Sequence, residues 1–333
     1  MFLPEDHLPA IRRGLNAAFR TTEVDSVTPL SGGLSGARIF RIRVGGIAYL
    51  LRIEGAQDVI RDPVRGYACM EIAAQALLAP RVRHACAEDG VAITDFIVEQ
   101  SLALAYRGSR EDLVVELAQA ARALHATPGF PPLIDYLDAL DAMMAGLEVS
   151  GLLPPDALAA PSEAYRAVTA AYRRLEADPV SSHNDLNPRN ILYDGQRLWL
   201  IDWEAAFRAD RYVDLSALAN TYANDAASEA LFLRTYFSEE PGEARRARLF
   251  LARQISHFFH ALAFLNGVAA QRPDLRGASL DAPPLDDLHL ALAAGEPVLD
   301  TVEGRLSYGL ARLETAHRNV TSSAFADAVR LAR

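Results

Sequence analysis

The chain has 333 residues, 33 of them basic and 43 acidic, for a formal net charge of -10. Every basic residue is an arginine, which excludes a Walker A phosphate loop, whose lysine is missing, and a lysine Schiff base with pyridoxal phosphate or a carbonyl substrate. The acidic balance argues against nucleic acid or an anionic membrane surface as partner, and no run of 18 or more apolar residues is present to enter a bilayer.

An amphipathic helix is expected over roughly Glu5–Arg20. Arg38–Val44 and Ile47–Glu54 each alternate as strands, and Gly45-Gly46 between them is a two-residue hairpin signal. Before them, Ser31, Gly32, Gly33, Leu34, Ser35 and Gly36 form a glycine-rich turn between strands. A helix follows over about Val64–Leu78, with Pro80 as its stop. Glu88-Asp89-Gly90 reads as a turn and Val91–Val98 as a buried strand.

From there the pattern turns helical. Ser109 with Asp112 makes a capping-box start, and Leu113, Leu117, Ala120, Ala121 and Leu124 keep helical spacing. Helices are expected at about 133–147 and 156–177. A loop at 181–190 precedes two short strands, 190–193 and 197–202, joined through Asp194-Gly195. The remainder reads as helical, with a Pro/Gly/Asp-rich loop at 272–287. A small sheet with one helix, then a large helical part, describes two lobes with a cleft, and ligands favour clefts.

Two cysteines, Cys69 and Cys86, are too few for a metal cluster or a disulfide framework. They suit a reduced cytoplasm, and the N-terminus lacks the basic start and apolar run of a secretory signal. Residues 1–100 hold 11 Arg and 12 acids, net -1, and the other 233 hold 22 Arg and 31 acids, net -9. An acidic C-terminal part favours a cationic substrate, or is a solvated surface.

The densest polar cluster is SSHNDLNPRN, residues 181–190, and the second is LIDWE, residues 200–204. Asp185 and Asn190 share a loop, and a hairpin sets Asp202 beside Asn190. A carboxylate and an amide oxygen can then share a hard cation such as Mg²⁺, which keeps waters and substrate phosphates as further ligands. Asp185 is left to take a proton from an attacking hydroxyl, the layout of kinase chemistry. A lone His-Asn-Asp is usually turn chemistry. Two such clusters flanking one hairpin, downstream of a glycine-rich hairpin, are hard to obtain by chance.

HNDLNPRN and IDWE resemble the pattern H-x-D-x-x-x-x-N followed by I-D-[FW]-E of the aminoglycoside phosphotransferase and choline kinase superfamily. HNDL, IDWE, Asp214-Leu215 and YANDAASEALFLRTYF look most like its choline/ethanolamine kinase branch, and the resemblance spans roughly residues 24–265. It implies an α+β, protein-kinase-like two-lobe fold. A small antiparallel-sheet lobe, 1–97, would bind nucleotide, and a large mainly helical lobe, 98–333, would hold the catalytic residues and the acceptor.

The implied activity is transfer of the γ-phosphate of ATP to a hydroxyl of a small molecule, with Mg²⁺. The implied roles are Asp185 as base and Asn190 with Asp202 on the metal. Arg52 stands in AYLLRI where the kinase lysine would be and can fork onto phosphate oxygens, with Glu71 as its matching carboxylate. Arg41 and Arg43 read as surface strand residues. Ser31, Gly32, Gly33, Ser35 and Gly36 would cover the phosphates with backbone N–H groups. The backbone of Asp95, Phe96 and Ile97 would hydrogen-bond adenine. His183, Glu204 and Asp214 would support the loop and the metal.

The acceptor is read as a cationic choline-, ethanolamine- or thiamine-like amine. Choline kinases use an aromatic cage for this, but the only tryptophans are Trp199 and Trp203, near the catalytic hairpin. The C-terminal part offers Tyr222, Phe258, Phe259 and Phe264, with core packing as the competing use. An antibiotic phosphotransferase and a nucleotide-binding regulatory pseudokinase are the other readings. The intact set of base, Asn and metal Asp disfavours the second.

Overall fold

The computed structural model describes residues 3–30, 36–100 and 102–332. The chain divides into two compact units, residues 1–133 with 179–214, and residues 134–178 with 215–333.

The first unit opens with a 3-10 turn at Glu5–His7 and helix α1 (Leu8–Phe19), which Arg20 closes in the left-handed region. Five strands follow: β1 (Ser26–Leu30), β2 (Arg38–Val44), β3 (Ile47–Ile53), then, after helix α2 (Pro63–Gln75), β4 (Val82–Cys86) and β5 (Val91–Asp95). They form one antiparallel sheet in the order β1-β2-β3-β5-β4. The β2–β3 turn is made by Gly45 and Gly46, at φ 59 and 78, the two positive values a tight hairpin turn needs.

Side chains alternate across a strand, and that period sorts the two faces. Phe40, Ile42, Tyr49, Leu51, Ile53, Val91 and Ile93 pack with Ala10, Ile11 and Leu15 of α1 into one core. Each fully buried Ile or Leu there contributes about 1.5–3 kcal/mol. The opposite face carries Ile39, Arg52 and Ala92 in register, with Arg41 beside Leu50. The sequence pattern located β2 and β3 but not β1 or β4. β1 contains Pro29 and is mostly exposed, and β4 is half-exposed throughout, so neither shows a clean alternation. β5 also stops three residues before the expected end, at Asp95.

Helix α2 is capped by Asp62, whose carboxylate accepts from the Val64 N–H, with Pro63 in the first turn. Short helix α3 (Leu102–Ala105) and helix α4 (Arg110–His125) complete this segment. The Ser109/Asp112 capping box of α4 is formed in full, and Val114, Leu117, Ala118, Ala121 and Leu124 are buried.

After α5 (Tyr136–Ser150) and α6 (Pro155–Tyr172) of the second unit, the chain returns to the first unit with four short strands. These are β6 (Pro179–Ser182), β7 (Ile191–Tyr193), β8 (Leu198–Leu200) and β9 (Phe207–Asp210). They pair as two ribbons, β6 with β9 and β7 with β8. The expected loop at 181–190 thus begins in a strand. Its partner β9, in a stretch read as helical, lies across the intervening hairpin, beyond the reach of local pattern.

Helix α7 (Arg211–Tyr222) leads into the second unit, which continues with α8 (Ala226–Phe237), α9 (Glu243–Gln271), α10 (Leu285–Ala293), α11 (Val302–Val320) and α12 (Ser323–Leu331). The long α9 buries Phe258, Leu262 and Leu265 completely. Phe258 meets the ring of Tyr165, Phe259 that of Tyr136, and Phe264 that of Tyr308. No helix is long and apolar enough to cross a membrane among the described residues. The fold class is α+β, a small antiparallel sheet followed by a mainly helical remainder.

Candidate active site

The site is built on the two ribbons of the first unit. β6 delivers His183, Asn184 and Asp185, a 3-10 turn at Pro188–Asn190 delivers Asn190, and the chain past β8 delivers Asp202 and Glu204. The Ile201 N–H donates to the Asn190 carbonyl at 3.0 Å, so the hairpin pairs Asn190 with Ile201, the residue before Asp202.

Asp185 is held by two amides. Asn187 Nδ2 donates to its Oδ1 at 3.0 Å and Asn190 Nδ2 to its Oδ2 at 3.1 Å. Burial lifts the pKa of Asp185 to about 6. The Asn187 bond and the His183 ring pull against the rise, and the Asp202 carboxylate adds to it. The group remains mainly ionised at neutral pH and is poised as a proton acceptor.

Asn184 and Asp202 have φ of 64 and 66. Asn and Asp tolerate this left-handed region better than other side chains, and such conformations cluster at functional sites. Asn184 uses it to donate from Nδ2 to the Ala205 carbonyl at 3.0 Å, tying the loop to the segment after Glu204.

Behind the loop lies Asp214, fully buried. Its carboxylate accepts from the His183 and Asn184 N–H groups, both at 2.8 Å, and meets His125 Nε2 at 3.0 Å. Burial alone would raise its pKa, but the His125 contact and these N–H donors outweigh it and hold Asp214 below the usual carboxylate value. His183 is also fully buried. Its Nε2 donates to the Ile201 carbonyl at 2.9 Å, and its ring lies 4.6 Å from that of Trp203. Its proton is spent on a backbone carbonyl, so the ring braces the hairpin.

Arg52 reaches three carboxylates. Nε bonds Glu54 at 2.9 Å, Nη1 bonds Asp202 at 3.2 Å and Nη2 bonds Glu204 at 2.8 Å. Burial opposes its charge, but Asp202, Glu54 and Glu204 outweigh that and push its pKa further up. Burial and the neighbouring Asp202 raise the pKa of Glu204, while Arg52 pulls it down.

The expected partner of Arg52 is corrected here. Glu71 is exposed on α2, and the sequence-near carboxylate on Arg52 is Glu54. Residues two apart on a strand share a face, so proximity along β3 wins over the following helix. Arg41 also differs from expectation: it is half-buried, with its guanidinium 4.8 Å over the Phe96 ring.

Ser31, Gly32, Gly33 and Ser35 lie outside the described residues. Gly36 has φ 75, and its carbonyl approaches Gly55 so closely that a Cβ there would meet it at 2.8 Å. Asp95 spends its N–H on the Arg81 carbonyl at 2.9 Å and its carboxylate on Arg83. Phe96 and Ile97 lie outside the strand ladder. All three border a cavity of about 350 Å³ with Ala48, Leu77 and Trp199. A larger cavity in this unit, about 590 Å³, is bordered by Tyr106, Asp112, Glu116 and Tyr193 and by none of the carboxylates above.

Arg65 gave no signal in the sequence. Only 4% exposed, it donates to the carbonyls of Val59 at 3.0 Å, Ile60, Glu204 at 2.5 Å and Ala206 at 3.0 Å. It fastens α2 to the Asp202–Glu204 segment. His125 was equally silent, since nothing marks the end of α4 as the partner of a residue 89 positions away.

Among the described residues no three His, Cys, Asp or Glu side chains are grouped to hold a metal. The oxygen donors that the two ends of the hairpin offer are the amide oxygen of Asn190 and the carboxylate of Asp202. That all-oxygen pair fits a hard cation that keeps several other ligands from water and phosphate.

The whole fold recurs in solved structures. A choline/ethanolamine kinase family protein from Mesorhizobium loti aligns with a TM-score of 0.65 at 22% identity, over 98% of this chain and 99% of that one. The choline kinase LicA from Streptococcus pneumoniae aligns at 0.60 and 16% identity, over 92% and 98%. An aminoglycoside phosphotransferase in a streptomycin–ATP ternary complex aligns at 0.56 and 16% identity, over 80% and 91%. At these identities the likeness is one of fold. No curated protein matches the sequence. The family model that does match covers residues 26–250, β1 through the two ribbons and on into α9, and by it the chain belongs to the phosphotransferase enzyme family.

Proposed function

We propose that this phosphotransferase moves the γ-phosphoryl group of ATP to a hydroxyl of a small molecule, a choline-, ethanolamine- or thiamine-like amine. The observation that carries the reading is the setting of Asp185. Its carboxylate is fixed by Asn187 and Asn190, lifted to a pKa of about 6, and feels the charge of Asp202.

In this reading Asp185 accepts the proton of the attacking hydroxyl. Asn190 and Asp202 hold Mg²⁺, which when bound neutralises charge on the phosphates. Glu204 supports the metal's waters and steers Arg52. Arg52 holds nucleotide phosphates from β3, and the 31–36 turn covers them. Phe96 and Ile97 offer backbone groups to the adenine, since Asp95 has spent its N–H. His183 and Asp214 order the loop without touching substrate. Residues 1–97 then serve the nucleotide, and residues 98–333 the catalysis and the acceptor. Dependence on ATP fits a cytoplasmic protein. Rate enhancement comes from positioning and charge stabilisation.

The fold neighbours support both an amine kinase and an aminoglycoside phosphotransferase. The amine reading is favoured by HNDL and IDWE in the catalytic ribbons. An ATP-consumption screen against choline, ethanolamine, thiamine, amino sugars and aminoglycosides tests it. Turnover with an amine alcohol and none with aminoglycosides is the expected result. Turnover confined to aminoglycosides would replace the reading, and Mg·ATP binding without turnover on any acceptor would make the chain a nucleotide sensor.

A further inference from the structure

The second unit contains a buried cation that no carboxylate among the described residues meets. Arg312 of α11 is 4% exposed. Its Nε and Nη2 donate to the Tyr308 hydroxyl at 3.1 and 2.6 Å, Nη1 to His257 Nδ1 at 3.1 Å and Nη2 to His289 Nε2 at 3.3 Å. It also lies 5.1 Å from the centre of the Tyr308 ring. Two other arginines of the unit have acids: Arg253 bonds Glu229 at 2.5 Å, and Arg173 reaches Asp138 and Asp141. Each nitrogen of Arg312 has a partner, but Nη1 keeps a second N–H without one, and no carboxylate among the described residues neutralises the charge. A buried charge without a counter-charge is strongly disfavoured.

Three histidines gather at this guanidinium. Arg312 can only donate, so His257 Nδ1 and His289 Nε2 are acceptors and both rings are neutral in this state. His260, one turn from His257 on α9, donates from Nδ1 to the Ser256 carbonyl at 2.8 Å, which leaves its Nε2 bare among the described residues. The Ser256 hydroxyl, on the same turn, is buried without a partner. Burial, then the charge of Arg312, pushes His260 to about 3 and His289 to about 4. Asp286, a turn from His289, is the acid that acts on that ring. His260 and His289 are half-exposed and form the open side.

We propose that the second unit carries a binding site for the oxyanion of a small molecule, a carboxylate or a phosphate, built on Arg312 with His257, His260 and His289. The ligand supplies the missing negative charge. The fork of Arg312 fits two anion oxygens, and the histidines, once an anion is present, become favourable sites for a proton and hence further donors.

The test is calorimetric titration of the full chain with inorganic phosphate and, separately, with acetate. It is run on the wild type, Arg312→Gln and the half-exposed His260→Leu, with circular dichroism to establish that each variant is folded. Saturable one-site binding is expected, stronger for whichever oxyanion class the ligand bears. A loss of at least about tenfold is expected in Arg312→Gln, with a smaller loss in His260→Leu. If Arg312→Gln does not fold, the histidine variant and anion-dependent melting of the wild type carry the decision. Absence of saturable binding to the wild type, or binding unchanged in the folded variants, would overturn the proposal and leave Arg312 as a structural cation.

Discussion

Arg52 and Glu54 lie two residues apart at the end of one strand, and their side chains meet at 2.9 Å. The strand carrying the phosphate-holding cation of the proposed mechanism is followed directly by its counter-charge. Glu54→Gln removes a half-buried, charge-assisted bond, about 1.5–3 kcal/mol. Initial rates at varied ATP are expected to show KM for nucleotide raised about tenfold or more with a smaller change in kcat. Glu71→Gln, on the exposed face of α2, is expected to leave both unchanged.

Arg52→Ala is expected to impair nucleotide use far more than Arg41→Ala. Arg41 is half-buried over Phe96, so its loss costs packing, while Arg52 links three carboxylates. Equal losses in nucleotide affinity would remove Arg52 from the phosphate role.

Asp185→Asn keeps the shape of the side chain but removes the proton acceptor. Phosphoryl transfer should fall by about two to four orders of magnitude, while Mg·ATP affinity, read by calorimetry, stays near wild type. Near-normal turnover would sink the assignment.

Arg65→Met leaves four carbonyls without their donor, each costing about 1–3 kcal/mol if it stays dry. A lower melting temperature is expected. Because two of those carbonyls belong to Glu204 and Ala206, the Mg²⁺ concentration for half-maximal activity should also rise. A stability loss with unchanged metal dependence would make Arg65 a core residue only.

Asp214 is held below the usual carboxylate value. A depressed folded pKa contributes stability that is complete above the unfolded value, about 3.9. It is lost as pH falls through the lower folded one. Asp214→Asn is expected to unfold more easily at neutral pH and to lose less of its stability on acidification than the wild type. Acid titration followed by circular dichroism measures this.

The polar clusters on the two ribbons are legible because they are contiguous polar residues against short apolar strands. HNDLNPRN and LIDWE carry Asp185, Asn190 and Asp202 within 18 positions. The β2–β3 hairpin was legible for a similar reason, two strict alternations around Gly45-Gly46. What stayed hidden depends on distant pairing. β6 finds β9, His125 finds Asp214 and Arg65 finds the Glu204 carbonyl only in the folded chain. Kinase logic assigns the counter-charge to Glu71 on a helix, while Glu54, one residue past β3, already provides it.

The cluster around Arg52 has an electrostatic consequence. At formal charges, one guanidinium facing Glu54, Asp202 and Glu204 leaves a surplus of two negative charges, before Asp185 is counted. Free ATP is itself an anion, so the pocket repels it. A divalent ion carries the charge that cancels the surplus. Nucleotide should therefore enter as its metal complex, with metal-free ATP a poor ligand and rising ionic strength narrowing the difference between the two.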